Sequence, residues 1–454
     1  MSDARAVAAT PIRAVQQARG RRRGIDPVAL LTIYIVVLFA IPSNITIGAL
    51  GSLGRPSLLC GLVLMGWWAL ARLQSSGFAA QPIRQPVKIA FGALLVVVLV
   101  SLGAALLRGQ PFDQVSPAVT SVVRLLSWGG VMLVAIDGLR TMHDLSRVIG
   151  RLAIAGGLLA GLGIAQFLTG QALTDFYAQI PGLVGEFGGV DARGEFTRSA
   201  GTATHPLEYA TTLSAMLPLA IATAVFHGFH DASRARRIAW WLPVGLIAVA
   251  SFLAVSRSAI VGVAVALLAT IPALPRKLRG WILGGAVALA GMVIVAVPGL
   301  LGTLVGLFSG AGSDASTTSR TNGLDRAPEF IATSPVYGNG FGTFLPRYYI
   351  FDNQWVLIAV ELGVLGVLAF GALLVTGMWS AQRAKKLSPR PDAAAIGQVL
   401  IASILAVGVL FAFFDGLSFP IAASLPFLLV GLCGATLTIG VADARMAGAV
   451  AVPD

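Results

Sequence analysis

The chain has 454 residues, of which 56% are hydrophobic and only 11% are charged, with a formal net charge of +12 and a mean hydropathy of +0.83. Soluble domains carry roughly 25% charged residues, so this composition excludes an ordinary soluble protein. The two cysteines, Cys60 and Cys433, both fall in apolar runs. Their positions argue against a disulfide framework and against a zinc site.

Twelve apolar runs follow one another along the chain. Each is long enough to cross a hydrocarbon core of about 30 Å. The runs lack the alternation of barrel strands, so each is expected to be a helix. The predicted spans are 28–48, 56–72, 87–107, 117–138, 147–169, 206–227, 237–255, 258–274, 281–305, 354–380, 395–415 and 418–440. The predicted fold class is an all-α polytopic membrane protein with about 12 transmembrane helices.

The distribution of basic residues predicts the orientation. With a cytoplasmic N-terminus, most of the 32 Lys and Arg residues fall in inside segments, as the positive-inside rule expects. The net positive charge therefore reflects the orientation of the protein in the membrane, and its distribution argues against a nucleic-acid partner. The predicted organisation is a basic cytoplasmic tail over 1–27, a transmembrane domain over 28–440 and a cytoplasmic tail over 441–454. The first apolar run is interpreted as an uncleaved span rather than a signal peptide.

Two outside loops are long, at about 170–205 and about 306–353, and both fall on the same predicted face. They are expected to pack into one extracytoplasmic cap. The second loop, between helices 9 and 10, is rich in Arg and Gly, and it holds too many aromatic and aliphatic residues to be disordered. Within it, the apolar spacing over 320–333 predicts a short amphipathic helix that ends at Ser334-Pro335.

Two arginines stand out by position. Arg257 lies between the seventh and eighth spans, where it could bind a phosphate bidentately or extend to the interface as basic side chains at helix ends often do. Arg124 is the one basic residue in mid-span, so it needs a partner or a wet cavity. A structural pair with Glu208 or Glu361 and a functional role are both open.

The glycine-dense turn around Gly338 and Gly340 could expose successive backbone N–H groups to a phosphate, or it could be a tight turn after Pro335. The sequence has no Walker lysine and no Rossmann context, which excludes ATP and NAD sites. It has no Asp-x-Asp pair in any loop. A metal-dependent sugar-nucleotide transferase is therefore unsupported, and no metal site is predicted.

Asp352 precedes the tenth span, where partial desolvation would suit it to act as a general base. The alternative is a helix N-cap, a position that Asp and Asn favour. His205 opens the sixth span, with Glu208 following at the membrane boundary. This histidine is the second candidate base, or a structural residue.

Together, these segments resemble the O-antigen ligase and polysaccharide polymerase family of membrane glycosyltransferases. The resemblance is strongest over about 200–370, and it includes the large extracytoplasmic loop before the tenth span. The residues that carry it are Gly201-x-x-x-His205-Pro206, Ser256-Arg257-Ser258-Ala259, Arg320, Pro335-Val336-Tyr337-Gly338-Asn339-Gly340-Phe341-Gly342, Asp352-Asn353 and Glu361-Leu362-Gly363-Val364-Leu365-Gly366.

The resemblance implies a GT-C-like enzyme of the cytoplasmic (inner) membrane, with both termini cytoplasmic and the active site outside. It would transfer a glycan from a polyprenyl-diphosphate carrier to a hydroxyl of a glycan or glycolipid acceptor, with inversion and without a metal or cofactor. The implied diphosphate ligands are Arg257, Arg320, Arg198 and Arg193; the implied catalytic residues are Asp352 and His205; the implied supporting residues are Arg124, Glu208, Gly338, Gly340, Asn353 and Glu361. Membrane lipids and other polysaccharide-assembly proteins are the expected partners.

Ligases of this family typically have a histidine where this chain has Asp352. The difference favours a polymerase over a ligase. The alternative class is a multi-pass transporter or lipid-linked-oligosaccharide flippase, because twelve spans suit that class as well. A scaffold subunit of an envelope complex is the third interpretation.

Overall fold

The computed structural model describes residues 26–74, 84–185, 191–193, 196–226, 233–254, 256–299, 301–303, 305, 315–387, 391–446 and 448. The terminal tails predicted over 1–27 and 441–454 lie largely outside these residues. The helices are α1 (Pro27–Ala40), α2 (Pro56–Gln74), α3 (Pro86–Leu107), α4 (Phe112–Gly138), α5 (Met142–Thr169), α6 (Pro206–Val225), α7 (Arg234–Ala239), α8 (Trp241–Leu253), α9 (Arg257–Thr270), α10 (Arg276–Ala296), α11 (Ala315–Ile331), α12 (Gln354–Leu387), α13 (Pro391–Leu410) and α14 (Pro420–Met446). The strands are β1 (Thr46–Ile47), β2 (Leu183–Val184), β3 (Asp191–Arg193) and β4 (Phe196–Arg198).

The predicted all-α polytopic fold is confirmed. Among the described residues, ten helical segments are long and apolar enough to cross a membrane, with α7 and α8 counting as one segment. The shorter apolar helices α1 and α9 account for the two remaining predicted spans. Several predicted boundaries differ: α1 ends at Ala40, α10 covers Arg276–Ala296 rather than 281–305, α12 continues to Leu387, α13 ends at Leu410, and α14 continues to Met446. Apolar residues after Ala40 and Leu410 belong to turns rather than to the helices.

Helices α6 and α14 form the centre of the bundle, and nearly all of their residues are buried. Helix α14 packs against α4, α12 and α13, while α6 packs against α5, α9 and α13. Helices α2, α3 and α10 expose most of their apolar side chains, as expected of helices that face lipid. Small residues allow close helix contacts: a Cβ added to Gly61 of α2 would lie 2.1 Å from the Ser127 hydroxyl of α4.

The helix predicted over 320–333 exists as α11, which begins five residues earlier and ends before Ser334-Pro335. The described part of the first loop is held by the segment that follows α1. Strand β2 pairs antiparallel with β1, and the Tyr177 hydroxyl donates to the Ala40 carbonyl. A single cap built from both loops stays a prediction.

Helix α12 is broken at Gly363, which has φ +64° inside the helix. The turn at residues 335–342 lies in the break and replaces the missing helical hydrogen bonds. The N–H groups of Asn339 and Gly340 donate to the carbonyls of Val360 and Glu361 at 3.1 and 2.9 Å. In the other direction, the N–H of Val364 donates to Pro335 O at 2.9 Å. This interlock fixes the large loop to the membrane bundle.

The interlock has no room for a side chain at Gly363. A Cβ there would lie 2.4 Å from the carbonyl carbon of Val336, and the left-handed backbone costs an L-residue roughly 1–2 kcal/mol. Gly363→Ala is therefore expected to lower the free energy of unfolding by at least that amount, measured as a fall in the melting temperature of the detergent-purified protein. Gly371→Ala is the control, because Gly371 lies in the same helix with no atom within 4 Å of its added Cβ. Equal melting temperatures for the two variants would contradict the interlock.

Candidate functional site

Helix α11 brings three of the predicted site residues to one place. The Arg257 guanidinium donates from Nη2 to the Thr317 hydroxyl at 2.9 Å, and the Ser319 hydroxyl donates to Asp352 Oδ2 at 2.8 Å. Arg320 donates from Nε to the Phe413 carbonyl at 3.2 Å and lies over the Phe413 ring. The N-terminal half of α11 therefore joins the start of α9, the start of α12 and the turn after α13.

Asp352 is not the N-cap of α12. That role belongs to Asn353, whose Oδ1 accepts from the N–H groups of Trp355 and Val356 at 3.0 and 3.3 Å. The capping alternative for Asp352 is therefore corrected, since the next residue satisfies the helix terminus. The Asp352 carboxylate is half-buried and is left to face the neighbouring turn.

A cavity of about 360 Å³ opens beside this cluster. Its wall is formed by α4, the loop after the glycine turn, the first turns of α12 and the turn before α14. The polar lining residues are Ser52, Ser116, Thr120, Ser121, Arg124, Gln354, Glu361, Asp415 and Ser418; the aromatic ones are Trp128, Phe341, Phe344, Tyr349 and Phe351. The arrangement places one guanidinium and two carboxyl groups around a space large enough for a sugar unit.

The glycine turn does not present a free phosphate nest at Gly338 and Gly340. Their N–H groups donate to the carbonyls of Ser334 and Glu361, both at 2.9 Å, so they are already satisfied. The backbone N–H groups of Gly342 and Phe344 instead donate to the buried Glu361 carboxylate. The turn thus holds a carboxyl group, and that group is the Glu361 side chain of the protein itself.

Arg124 is not paired with either predicted carboxylate. Its Nε is buried without a hydrogen-bond partner, and the structure shows no ion pair for it among the described residues. A second guanidinium, that of Arg55, lies close enough to repel it. Burial lowers the pKa of Arg55, and the Glu208 charge partly offsets that effect.

Glu208 has a structural role. Its Oε2 accepts from the Ser43 hydroxyl and the Thr204 N–H at 3.0 and 2.8 Å, and its Oε1 accepts from the Ile421 N–H at 2.7 Å. The carboxylate therefore caps the N-terminus of α14, where negative charge is favourable. It also anchors the segment between α1 and α2.

His205 is the N-cap of α6. Its Nδ1 accepts from the Leu207 N–H at 3.1 Å, and its ring packs against Phe419 at 5.6 Å between centroids. Because Nδ1 is an acceptor, a neutral ring carries its proton on Nε2. His205 is suited to donate a hydrogen bond from Nε2, which is a poor starting state for a general base.

Asp415 lies in the turn between α13 and α14, and sequence reasoning missed it. Burial, together with the nearby Asp352 charge, raises the pKa of Asp415 to about 6, although the Ser418 hydroxyl opposes the shift. The turn is fixed by Gln354 at the start of α12, whose N–H donates to the carbonyls of Phe411 and Phe414. Asp352 and Asp415 are therefore neighbouring carboxyl groups, of which Asp415 lines the cavity.

The remaining predicted ligands lie on the short hairpin of the first loop. Arg193 ends β3, and its side chain lies outside the described residues; Arg198 ends β4 and is half-buried. Arg55 was also missed as a candidate, although Arg55-Pro56 opens the second span in the same way that Arg257 opens the eighth. Asp415 was missed because the apolar run predicted to end at 415 absorbed it.

The fold and the site define a multi-pass helical membrane protein with a polar centre at one end of its bundle. Residues 242–371 match the sequence profile of a family described as O-antigen ligase. The match contains Arg257, Arg320, Asp352, Glu361 and the glycine turn. This part of the chain is therefore similar to that family, as the sequence motifs predicted. No curated protein matches the chain.

The raised pKa of Asp415 gives a pH test of the site. A carboxyl group with a raised folded-state pKa stabilises the fold while it is protonated, and this contribution is lost as pH rises between its ordinary value of 3.8 and about 6. The melting temperature is therefore expected to fall over this window. Asp415→Asn should flatten that part of the profile, whereas Glu329→Gln, which removes an exposed carboxylate, should not. An unchanged profile in Asp415→Asn would contradict the assignment.

Proposed function

We propose that the protein is a glycosyltransferase that uses a polyprenyl-diphosphate-linked glycan as donor at the outer face of the cytoplasmic membrane. The observation that carries the proposal is the junction on α11, where Arg257, Arg320 and Asp352 meet. Two guanidinium groups beside a carboxylate are the groups that a diphosphate leaving group and an acceptor hydroxyl require. The family match covers this same junction.

The reaction would be a single displacement. Asp352 accepts the proton of the acceptor hydroxyl, and the hydroxyl oxygen attacks the anomeric carbon of the donor sugar. The bond between that carbon and the diphosphate oxygen breaks, and the polyprenyl diphosphate leaves with the electron pair. Arg257 and Arg320 stabilise the charge on the leaving group through fixed guanidinium donors. Attack from the face opposite the leaving group inverts the anomeric configuration.

We further propose that the acceptor is another carrier-linked glycan, which makes the enzyme a polymerase rather than a ligase. Asp352 stands where ligases of the family typically have histidine, and that difference supports the polymerase branch. The half-buried aspartate has a hydroxyl donor in Ser319, and a second carboxyl group, Asp415, lies close by. Arginines supply the positive charge for the diphosphate, so the proposed reaction uses no metal or cofactor.

The test uses the purified protein with a short glycan on undecaprenyl diphosphate, with products resolved by gel and mass. A ladder of lengthened carrier-linked glycans is expected. Arg257→Ala, Arg320→Ala and Asp352→Asn should each lower the rate by about 100-fold or more, the usual range for a lost oxyanion or acid–base group. Arg326→Ala is the matched control, because Arg326 lies on the same helix but is exposed, where it contacts Glu329 and Tyr349.

Transfer of an intact glycan to a different acceptor would establish a ligase instead. Equal rates for the wild type and all three site variants would contradict the proposed site. If the protein binds a carrier lipid with a glycan of matching structure but leaves it unchanged, the proposed enzymatic activity is refuted.

A flippase is the second candidate, because transporters often use discontinuous helices at their substrate sites. The break in α12 at Gly363 is such a feature. In this protein, residues 335–342 supply hydrogen-bond partners for the backbone groups at the break. The observation that distinguishes the two functions is where substitutions reduce activity. Loss at Arg124 and Glu361 with Arg257 and Asp352 tolerated would favour transport.

A further inference from the structure

We propose that the cavity beside Asp415 is the acceptor-glycan subsite and that Arg124, with Arg55 behind it, selects a glycan that carries a carboxylate. The inference rests on the proposed transferase function, and it adds the chemical class of the acceptor: an acidic sugar such as a uronic acid. The observation that supports the proposal is that Arg124 lines the cavity and its Nε is buried without a hydrogen-bond partner.

The charge balance around the cavity is uneven. Glu361 has two backbone N–H donors, and Asp415 has the Ser418 hydroxyl as a donor. Neither arginine has a hydrogen bond or ion pair to a described residue, although the Glu208 charge acts on Arg55. Arg124 is half-buried with its Nε buried and unpartnered, and a guanidinium in such a site beside a like charge is costly unless an anion compensates it. The charge of Arg124 therefore predicts an anionic ligand.

The cavity lining separates this subsite from the donor arginines. Arg124 of α4 lines the cavity, whereas Arg257 and Arg320 are not among its lining residues and instead contact Thr317 and Phe413. A displacement reaction needs the acceptor and the leaving group on opposite faces of the reacting carbon. With Arg257 and Arg320 assigned to the donor diphosphate, the cavity is left for the acceptor.

The cavity lining suits a sugar. Trp128, Phe341 and Tyr349 offer aromatic surface against which a pyranose ring can pack, while Thr120 and Ser121 offer hydroxyl groups. Arg124 lies twelve residues into α4, or roughly 18 Å along the helix at about 1.5 Å per residue. Because the cavity reaches Arg124, a terminal sugar would enter it end-on. The Arg124 guanidinium would then contact a carboxylate on that sugar.

The experiment measures binding to the full-length protein in nanodiscs, with trigalacturonic acid and its carboxyl-reduced counterpart galactotriose as probes. The wild type is expected to bind the acidic probe saturably and at least about tenfold more tightly than the neutral one, since a charge-assisted hydrogen bond is lost. Arg124→Gln should remove this preference, and Arg124→Lys should retain part of it. Arg257→Ala, on the donor side, should leave it unchanged. Undecaprenyl diphosphate binding should depend on Arg257 and not on Arg124.

Equal affinity for the two probes, no binding of either probe, or a preference unchanged by Arg124→Gln would each overturn the proposal. Loss of undecaprenyl diphosphate binding in Arg124→Gln would overturn it as well, because the guanidinium would then belong to the donor site. The melting temperature of Arg124→Gln serves as the folding control and should not fall, because the substitution removes an uncompensated charge. The binding readout needs no turnover, so a failure to transfer glycan and a failure to bind the acid are distinguishable.

Discussion

The interlock between the glycine turn and broken helix α12 attaches the loop that carries α11 and Asp352 to the membrane bundle. Polar backbone groups exposed by a helix break inside a membrane need partners from the protein, and residues 335–342 provide them. The same contact brings the N–H groups of Gly342 and Phe344 to the Glu361 carboxylate. A loop that would otherwise be free to move is thereby attached at its C-terminal half, where Asp352 enters the membrane.

A second constraint follows from how the charges are compensated. The buried carboxylates Glu208 and Glu361 are held by backbone N–H groups, so each fixes a turn or a helix end in place. The arginines at the centre are arranged differently: Arg257 and Arg320 donate to the neutral oxygens of Thr317 and Phe413, and Arg124 has no hydrogen bond to a described residue. The carboxyl groups therefore contribute mainly to the scaffold, and an anionic substrate would complement the charge of the guanidinium groups.

The sequence predicted the membrane fold well because hydropathy runs and basic flanks depend only on local composition. It also predicted the helix in the second loop, where Pro335 ends the pattern. It could not predict the break in α12, since the run around Gly363 is apolar apart from Glu361 and the break depends on a turn more than twenty residues earlier. Nor could it distinguish Asp352 from Asn353 as the cap, because both residue types favour that position.

The candidate site was only partly predictable for a related reason. Arg257 and Asp352 were recognisable from their positions at span boundaries and Arg320 from the resemblance to a known family, and α11 brings the three together. Arg124 was recognisable as a charge that is energetically costly within a membrane span. Its environment depends on α4 meeting Arg55 and the turn at Asp415, which are distant in sequence. Glu208 and Glu361, the two carboxyl groups predicted to pair with Arg124, accept hydrogen bonds from other groups. A structural ion pair therefore does not account for Arg124. A ligand that supplies the missing negative charge does account for it, and an acidic acceptor sugar in the cavity that Arg124 lines would do so.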